Sequence, residues 1–223
     1  MSVQELLTGL KRAVDAGEHR VWAVRCARAL GLGGIAVSLR QGAELVWFSD
    51  DISARLEDVR FTVGQGPGMT ADSHGVPCQV PDLRAQEGRR WPMFTAEAEA
   101  LGVRAVFVWP VRSGAARFGA LTGYRTTPGP LSTQQAADGL RVADALTGRL
   151  LAWHPEAGDS DDGPGVAGAV DLHRVEVHQA TGVLSVRLGV PLEEALVRLR
   201  ARAFASGRPL TETALDILRD LPT

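Results

Sequence analysis

Residues 103–124 read VRAVFVWPVRSGAARFGALTGY, two apolar runs, Val103–Val111 and Phe118–Tyr124, joined by the glycine-containing turn Ser113-Gly114-Ala115. Runs this rich in β-branched and aromatic residues, separated by a turn, predict two antiparallel strands. Toward the N-terminus, Gly34–Leu39 and Glu44–Phe48 are separated by Arg40-Gln41-Gly42-Ala43, a short connection suited to a second hairpin. Val76–Val80 is a further strand candidate. Before these, Leu6, Leu7, Leu10 and Val14, then Val21, Val24 and Leu30 with Gly17 between, predict two amphipathic helical pieces within Gln4–Leu30. After them, Ser132-Thr133-Gln134-Gln135 is a capping box, with Ser132 as cap and Gln135 at the third helical position. It leads into Leu140, Val142, Ala143, Leu146 and Leu150. An antiparallel sheet with helices at both ends predicts an α+β fold.

The chain is 223 residues long, which favours two domains. The segment His154–Ala169, HPEAGDSDDGPGVAGA, has almost no large apolar side chain and so buries too little surface to offset the entropy of ordering it. The residues before it alternate strands and helices, whereas those after it carry helical periodicity alone. The expected division is an α+β domain over 1–153, a linker over 154–170 and a helical domain over 171–223.

Hydrophobic residues at 45% and charged residues at 22% exclude a wholly disordered chain. The longest apolar stretches, such as Ala105–Val111, fall well short of the roughly 20 residues that cross a bilayer. The first ten residues lack a secretory pattern, so the cytoplasm is expected, without membrane contact. Cys26 and Cys78 are the only cysteines and form no CxxC pair; they are expected to act as small semi-buried hydrophobes. The five histidines are dispersed and no Ser-His-Asp set, carboxylate pair or metal-ligand cluster stands out. The expectation is a non-enzyme without metal or cofactor. A net charge of −2 gives no global attraction for nucleic acid, so any such binding needs a local patch.

An ordered series of segments resembles the actinobacterial type of GAF domain over roughly Val21–Trp153. It comprises Gly33–Leu39, Thr62-Val63-Gly64-Gln65-Gly66-Pro67-Gly68, Val80-Pro81-Asp82-Leu83, Trp91-Pro92-Met93-Phe94, Gly102–Val106 and Phe118–Leu121 ending in Tyr124-Arg125. The glycines around Pro67 suit either a tight connecting loop or a close backbone approach to a ligand at Gly66. Trp91, Phe94 and Trp109 are candidates to line a pocket, though aromatics so placed are more often core. The resemblance implies a fold that binds small molecules in some members and merely dimerises in others. The Asn-Lys and Asp-Glu motif of its cyclic-nucleotide-binding members is not visible, and His74 is a weak candidate for haem. The redox enzymes of this fold call for a set of catalytic thiols that two distant cysteines supply poorly.

Beyond the linker, Leu172, Val175, Gln179, Gly182, Val183 and Val186 share one helical face, predicting a helix over Asp171–Leu188 with Asp171 as cap and Gly189 as stop. Pro191, Glu193 and Glu194 open a second helix that buries Ala195, Leu196, Leu199 and Ala203 and ends at Gly207. A third, short helix starts at Thr211. The segment resembles the ANTAR domain, the RNA-binding output of bacterial transcription antiterminators. The matching residues are Gln179-Ala180, Gly182-Val183-Leu184, Glu194-Ala195, Leu199-Arg200, Ala203, Arg208, Leu210 and Ala214. Where that family usually has Ala-Lys-Gly, this chain has Ala180-Thr181-Gly182, so the resemblance implies an RNA contact at Thr181 through a hydroxyl in place of a cation.

Seven acidic residues and seven arginines from Asp171 onward cancel, so a basic patch must be local. Arg198, Arg202 and Arg208, with Arg200 nearby, are the candidate RNA-binding cations; Phe204, the only aromatic of the segment, is expected in the core rather than as a stacking platform. The two resemblances together imply a sensor-regulated antitermination protein that grips RNA hairpins in nascent transcripts, with a small-molecule ligand in the first domain and a homodimer as the assembly. The first alternative is a ligand-binding or dimerisation protein whose helical module no longer binds RNA. The second is a redox enzyme using Cys26 and Cys78.

Overall fold

The computed structural model describes residues 3–12, 16–39, 44–86, 90–152 and 175–220. The chain divides into two compact units, Met1–Leu172 and His173–Thr223. The expected linker, 154–170, and the expected cap Asp171 lie outside the described residues.

In the first unit the element order is α1 (Val3–Arg12), α2 (Ala16–Ala29), β1 (Gly34–Leu39), β2 (Glu44–Phe48), α3 (Asp51–Val63), α4 (Pro67–His74), β3 (Cys78–Val80), α5 (Pro92–Ala100), β4 (Ala105–Ser113), β5 (Ala116–Arg125) and α6 (Thr133–Ala152). The strands form one five-stranded antiparallel sheet in the order β2-β1-β5-β4-β3. The hairpin over Gly34–Phe48 has the bounds read from the sequence, and the β4–β5 pair sits where residues 103–124 place it, shifted by about a turn's worth of residues at its tip. β3 begins at Cys78 rather than Val76, because Pro77 has no N–H to give the ladder.

Alternation along the strands builds two cores. Ile35, Val37, Leu39, Phe107, Trp109, Val111 and Leu121 face α1, α2 and α6, which contribute Leu6, Leu10, Trp22, Cys26, Val142 and Leu146, with Leu30 just past α2. Val80, Val106, Val108, Ala120 and Tyr124 face α3, α4 and α5, which contribute Leu56, Ala71, Phe94 and Ala98. The sheet is therefore the middle layer of three.

Local chemistry fixes the helices. Ser132 and Gln135 form the expected capping box, with Gln135 N–H donating to the Ser132 hydroxyl at 3.2 Å and Ser132 N–H to Gln135 Oε1 at 2.9 Å. α6 lies so close to the sheet that a Cβ at Gly139 would stand 2.2 Å from the Trp109 ring, whose Nε1 donates to Ala136 O at 3.2 Å. α3 has a capping box of its own, in which Ser53 N–H donates to Asp50 Oδ1 at 2.9 Å. The Tyr124 hydroxyl donates to the same oxygen at 3.0 Å and ties β5 to the start of α3.

The second unit consists, among the described residues, of α7 (Val175–Leu188), α8 (Leu192–Ser206) and α9 (Leu210–Arg219). Its core is small: Val177, Ala180, Ala195, Leu199, Ala203, Leu210, Ala214 and Ile217. Gly207 adopts φ 62° and closes α8 with a left-handed cap. Pro191 and Pro209 stand just before α8 and α9 in extended geometry, so α8 begins at Leu192 and α9 at Leu210, one residue before the expected Thr211.

Candidate functional site

The sheet register aligns three rows beneath α3, α4 and α5: Ser38, Ala120 and Pro110; Ala36, Thr122, Val108 and Cys78; Gly34, Tyr124, Val106 and Val80. Into this mostly apolar layer α3 places Glu57 and Arg60, with side chains only 1% and 2% exposed. Arg60 donates to Glu57 Oε2 through Nε at 3.0 Å and Nη2 at 2.6 Å, and to the Ser38 hydroxyl at 3.2 Å. α4 makes room for the guanidinium at Gly68, where a Cβ would stand 2.6 Å from Arg60 Cδ. α4 also supplies buried Asp72, whose main-chain carbonyl accepts from Arg117 on β5. Asp72 Oδ2 and Thr122 Oγ1 are buried and meet no hydrogen-bond partner among the described residues.

Burial opposes the charge on Arg60, but the attached Glu57 carboxylate outweighs it and holds the guanidinium above its ordinary value. Burial pushes the Asp72 carboxyl up; Arg60 opposes this, Glu57 adds to it, and Arg117 opposes it more weakly. One carboxylate oxygen and the Thr122 hydroxyl thus lie buried on the sheet face that α3 and α4 cover. The sequence reading missed all four residues. Glu57 and Arg60 are spaced like any exposed i,i+3 helix pair; the available signal was Ser38 and Thr122 on strand faces otherwise filled by apolar side chains.

Of the expected pocket residues, Gly66 and Phe94 do meet. Gly66 has φ 133° before α4, and a Cβ there would stand 3.0 Å from the Phe94 ring. Trp91 joins Phe94 in the same core, with Arg90 over its ring at 5.0 Å. Trp109 points the other way, into the core under α6, because it lies one residue out of phase with Val108. The sheet thus separates it from the other three, and a pocket lined by Trp109 together with Trp91 and Phe94 does not form. The sheet also stands between the cysteines: burial pushes the Cys26 thiol up to about 12, and burial raises Cys78 despite Arg90 nearby. His74 is exposed at the end of α4, with Nδ1 2.9 Å from Thr70 O.

Two solved structures share this architecture. One is the GAF domain of a phosphoenolpyruvate-protein phosphotransferase from Coxiella burnetii, with a TM-score of 0.50 and 12% identity over 67% of this chain and 90% of that one. The other is the GAF domain of the corresponding Acinetobacter phosphotransferase, with a TM-score of 0.50 and 8% identity over 71% of this chain and 95% of that one. The first unit has the GAF fold. No protein-family profile and no curated protein matches the sequence. Within the GAF unit, the Glu57–Arg60–Asp72 cluster lies between the sheet and α3 and α4. No helix among the described residues is long and apolar enough to cross a membrane.

In the second unit α8 buries Ala195, Leu199 and Ala203 and turns Val197, Ala201 and Phe204 outward, with Val197 59% and Phe204 65% exposed. This corrects the expectation of a core Phe204, which sits a quarter turn past the buried face at Ala203. A helix advances about 100° per residue, so Arg198 and Arg202 share one flank of the outward strip while Arg200 lies about 160° from both. The expected cations therefore border the strip on two sides and do not form a single patch. Arg198 pairs with Glu194, and Arg208 with Asp216 and, at 3.4 Å, with Glu212. The bond to Asp216 holds Arg208 above its ordinary value. Arg202 is exposed with no carboxylate partner among the described residues, and Arg200 is partly buried. Thr181 is buried, and its hydroxyl donates to Val177 O at 2.6 Å. Its side chain is turned into the bundle, which removes it from an RNA-contacting surface.

Proposed function

We propose that this protein is a sensor-regulated RNA-binding regulator of transcription antitermination, a binding protein rather than an enzyme. Its GAF unit takes a small molecule at the α3–α4 face of the sheet, and its helical unit grips RNA hairpins. The observation that carries the RNA reading is the outward face of α8, an exposed strip of Val197, Ala201 and Phe204 with Arg198 and Arg202 on one flank and Arg200 on the other. The ANTAR resemblance over Asp171–Thr223 supports the same reading. Buried Asp72 and Thr122, each with a polar atom lacking a partner among the described residues, support ligand sensing. Ligand binding acts as a population shift between arrangements of a homodimer. Burial disfavours the ionised forms of both thiols, which weighs against the redox alternative.

Binding of the full-length chain to RNA hairpins across a salt series tests this. The expectation is an affinity that falls as salt rises. The inward Thr181 hydroxyl and the carboxylate-paired Arg198 and Arg208 favour a second reading, a signalling module that has lost RNA binding. Absence of hairpin binding at low salt supports that reading and removes the first.

A further inference from the structure

We propose that Arg112 and Arg117, paired across the tip of the β4–β5 hairpin, bind the phosphate group of a small phosphorylated metabolite. The site lies in the GAF unit but away from the buried Glu57–Arg60–Asp72 cluster, and it does not depend on RNA binding.

Strand phase brings the two side chains together on one face. Arg112 follows Val111, which faces α1, α2 and α6, so it emerges on the opposite side of the sheet, toward α4. Counted back from Leu121, Arg117 would turn toward α1, α2 and α6. The ladder steps from Val111↔Gly119 directly to Arg112↔Arg117, which makes Phe118 an extra residue on β5. That bulge shifts the phase by one and re-aims Arg117 toward α4, beside Arg112. Both side chains reach the end of that helix: a Cβ on Gly75 would stand 3.9 Å from Arg117 Nε and 4.0 Å from Arg112 Cδ. Gly75 closes α4 with φ 66°, so no side chain occupies the space beside them.

Like charges directly opposite each other on a ladder are destabilising. Both arginines are exposed, and neither has a carboxylate partner among the described residues. The buried Asp72 carboxyl feels Arg117 more weakly than it feels Arg60. The hydrogen bonds they do make go to neutral groups: Arg117 donates to the Asp72 main-chain carbonyl, and Arg112 Nη1 to Gly114 O at 3.1 Å. A guanidinium has five N–H donors, so most remain available. Two planar forks side by side match the several acceptor oxygens of one phosphate. Extent decides the class of ligand. The turn residues Ser113, Gly114, Ala115 and Ala116 add no further cation, and two positive charges balance a single phosphate monoester rather than a polyanion. Arg117 also ties β5 to α4, so a bound phosphate acts on the helix that carries Asp72.

Isothermal titration calorimetry of the full-length chain with inorganic phosphate, with glycerol 3-phosphate and with glycerol as the uncharged control tests this. Both phosphates should bind saturably at one site per chain, and glycerol should not bind. Arg112→Gln is expected to weaken phosphate binding by about tenfold to a hundredfold, the scale of losing hydrogen bonds from a charged donor. Its melting temperature should stay at the original value, because Arg112 reaches only the turn. Arg117→Lys keeps the charge but loses the planar fork, and should weaken binding as well. Absence of saturable binding of either phosphate by the original chain overturns the proposal. Affinity within twofold of the original in Arg112→Gln overturns the placement at the hairpin tip. If neither small phosphate binds and Arg112→Gln instead loses affinity for RNA hairpins, the pair serves nucleic-acid phosphates and the metabolite assignment fails.

Discussion

Replacing Arg60 by Met removes the cation that α3 places beside Glu57, a carboxylate whose side chain is 1% exposed. Asp72 lies close enough to feel the same charge, so two buried carboxyls lose their shared partner. Removing one member of a buried ion pair costs about 3–5 kcal/mol. For a chain of this size each kcal/mol moves the melting temperature by about 2–4 °C, so Arg60→Met should melt about 6–20 °C lower. Tryptophan fluorescence in urea reads this cleanly, because all five tryptophans lie in the first unit. The midpoint should fall with the m-value unchanged. The pair Glu57→Leu with Arg60→Met fills the space with apolar groups and should recover most of the loss, since the penalty comes from the orphaned charge rather than from a missing bond. A loss below about 1 kcal/mol at neutral pH, or a double variant as unstable as the single one, refutes this electrostatic account of the cluster.

Asp72 gives a separate test of sign. Its folded-state value is raised above 3.8, chiefly by burial, so its contribution to stability is full below that value and is lost as the pH climbs through the folded one. Asp72→Asn should therefore be more stable than the original at pH 7 and lose that advantage below pH 4, as paired urea titrations would reveal; an advantage equal at both pH values contradicts it. Arg200→Ala with Arg202→Ala should weaken RNA binding while leaving the helical circular dichroism unchanged, and unaltered affinity places the site elsewhere. Glu194→Gln releases Arg198 from its i,i+4 partner and should tighten RNA binding at low salt, an effect that direct titration of the hairpins detects.

Where periodicity and punctuation agree, the sequence was legible to within a residue or two. The Gly34–Phe48 hairpin, the Ser132 box that starts α6, and the Gly189 and Gly207 stops all carry local chemistry strong enough to set their own geometry. The short helices α4 and α5 were not read, because eight or nine residues carry too little period to stand out beside Pro67 and Pro92. The candidate sites were hardest to read, for a different reason. Strand phase decides which core a side chain enters, and a one-residue offset sends Trp109 away from Phe94 and Trp91. Helix phase does the same on α8, where two residues of spacing put Arg200 nearly opposite Arg198 and Arg202. Thr181 was placed by analogy with a cation at the same alignment position, but a short hydroxyl on the buried side satisfies itself on the carbonyl four residues back.

Those side-chain directions also bear on how a unit with balanced charge could hold a polyanion. An exposed i,i+4 pair such as Arg198–Glu194 is worth only about 0.3–0.5 kcal/mol, so a phosphate can displace the carboxylate at little cost. Displacement does not remove the carboxylate from the surface, and its repulsion persists at close range. Each phosphate neutralised on a single strand steepens the dependence of log affinity on log salt by about 0.7. With only Arg198, Arg200 and Arg202 along the strip, that slope should not exceed about two. Electrostatics this shallow cannot by itself supply tight binding at physiological salt. The remainder must come from contacts that salt does not screen, and on the outward face of α8 the only large side chains able to make them are Val197 and Phe204.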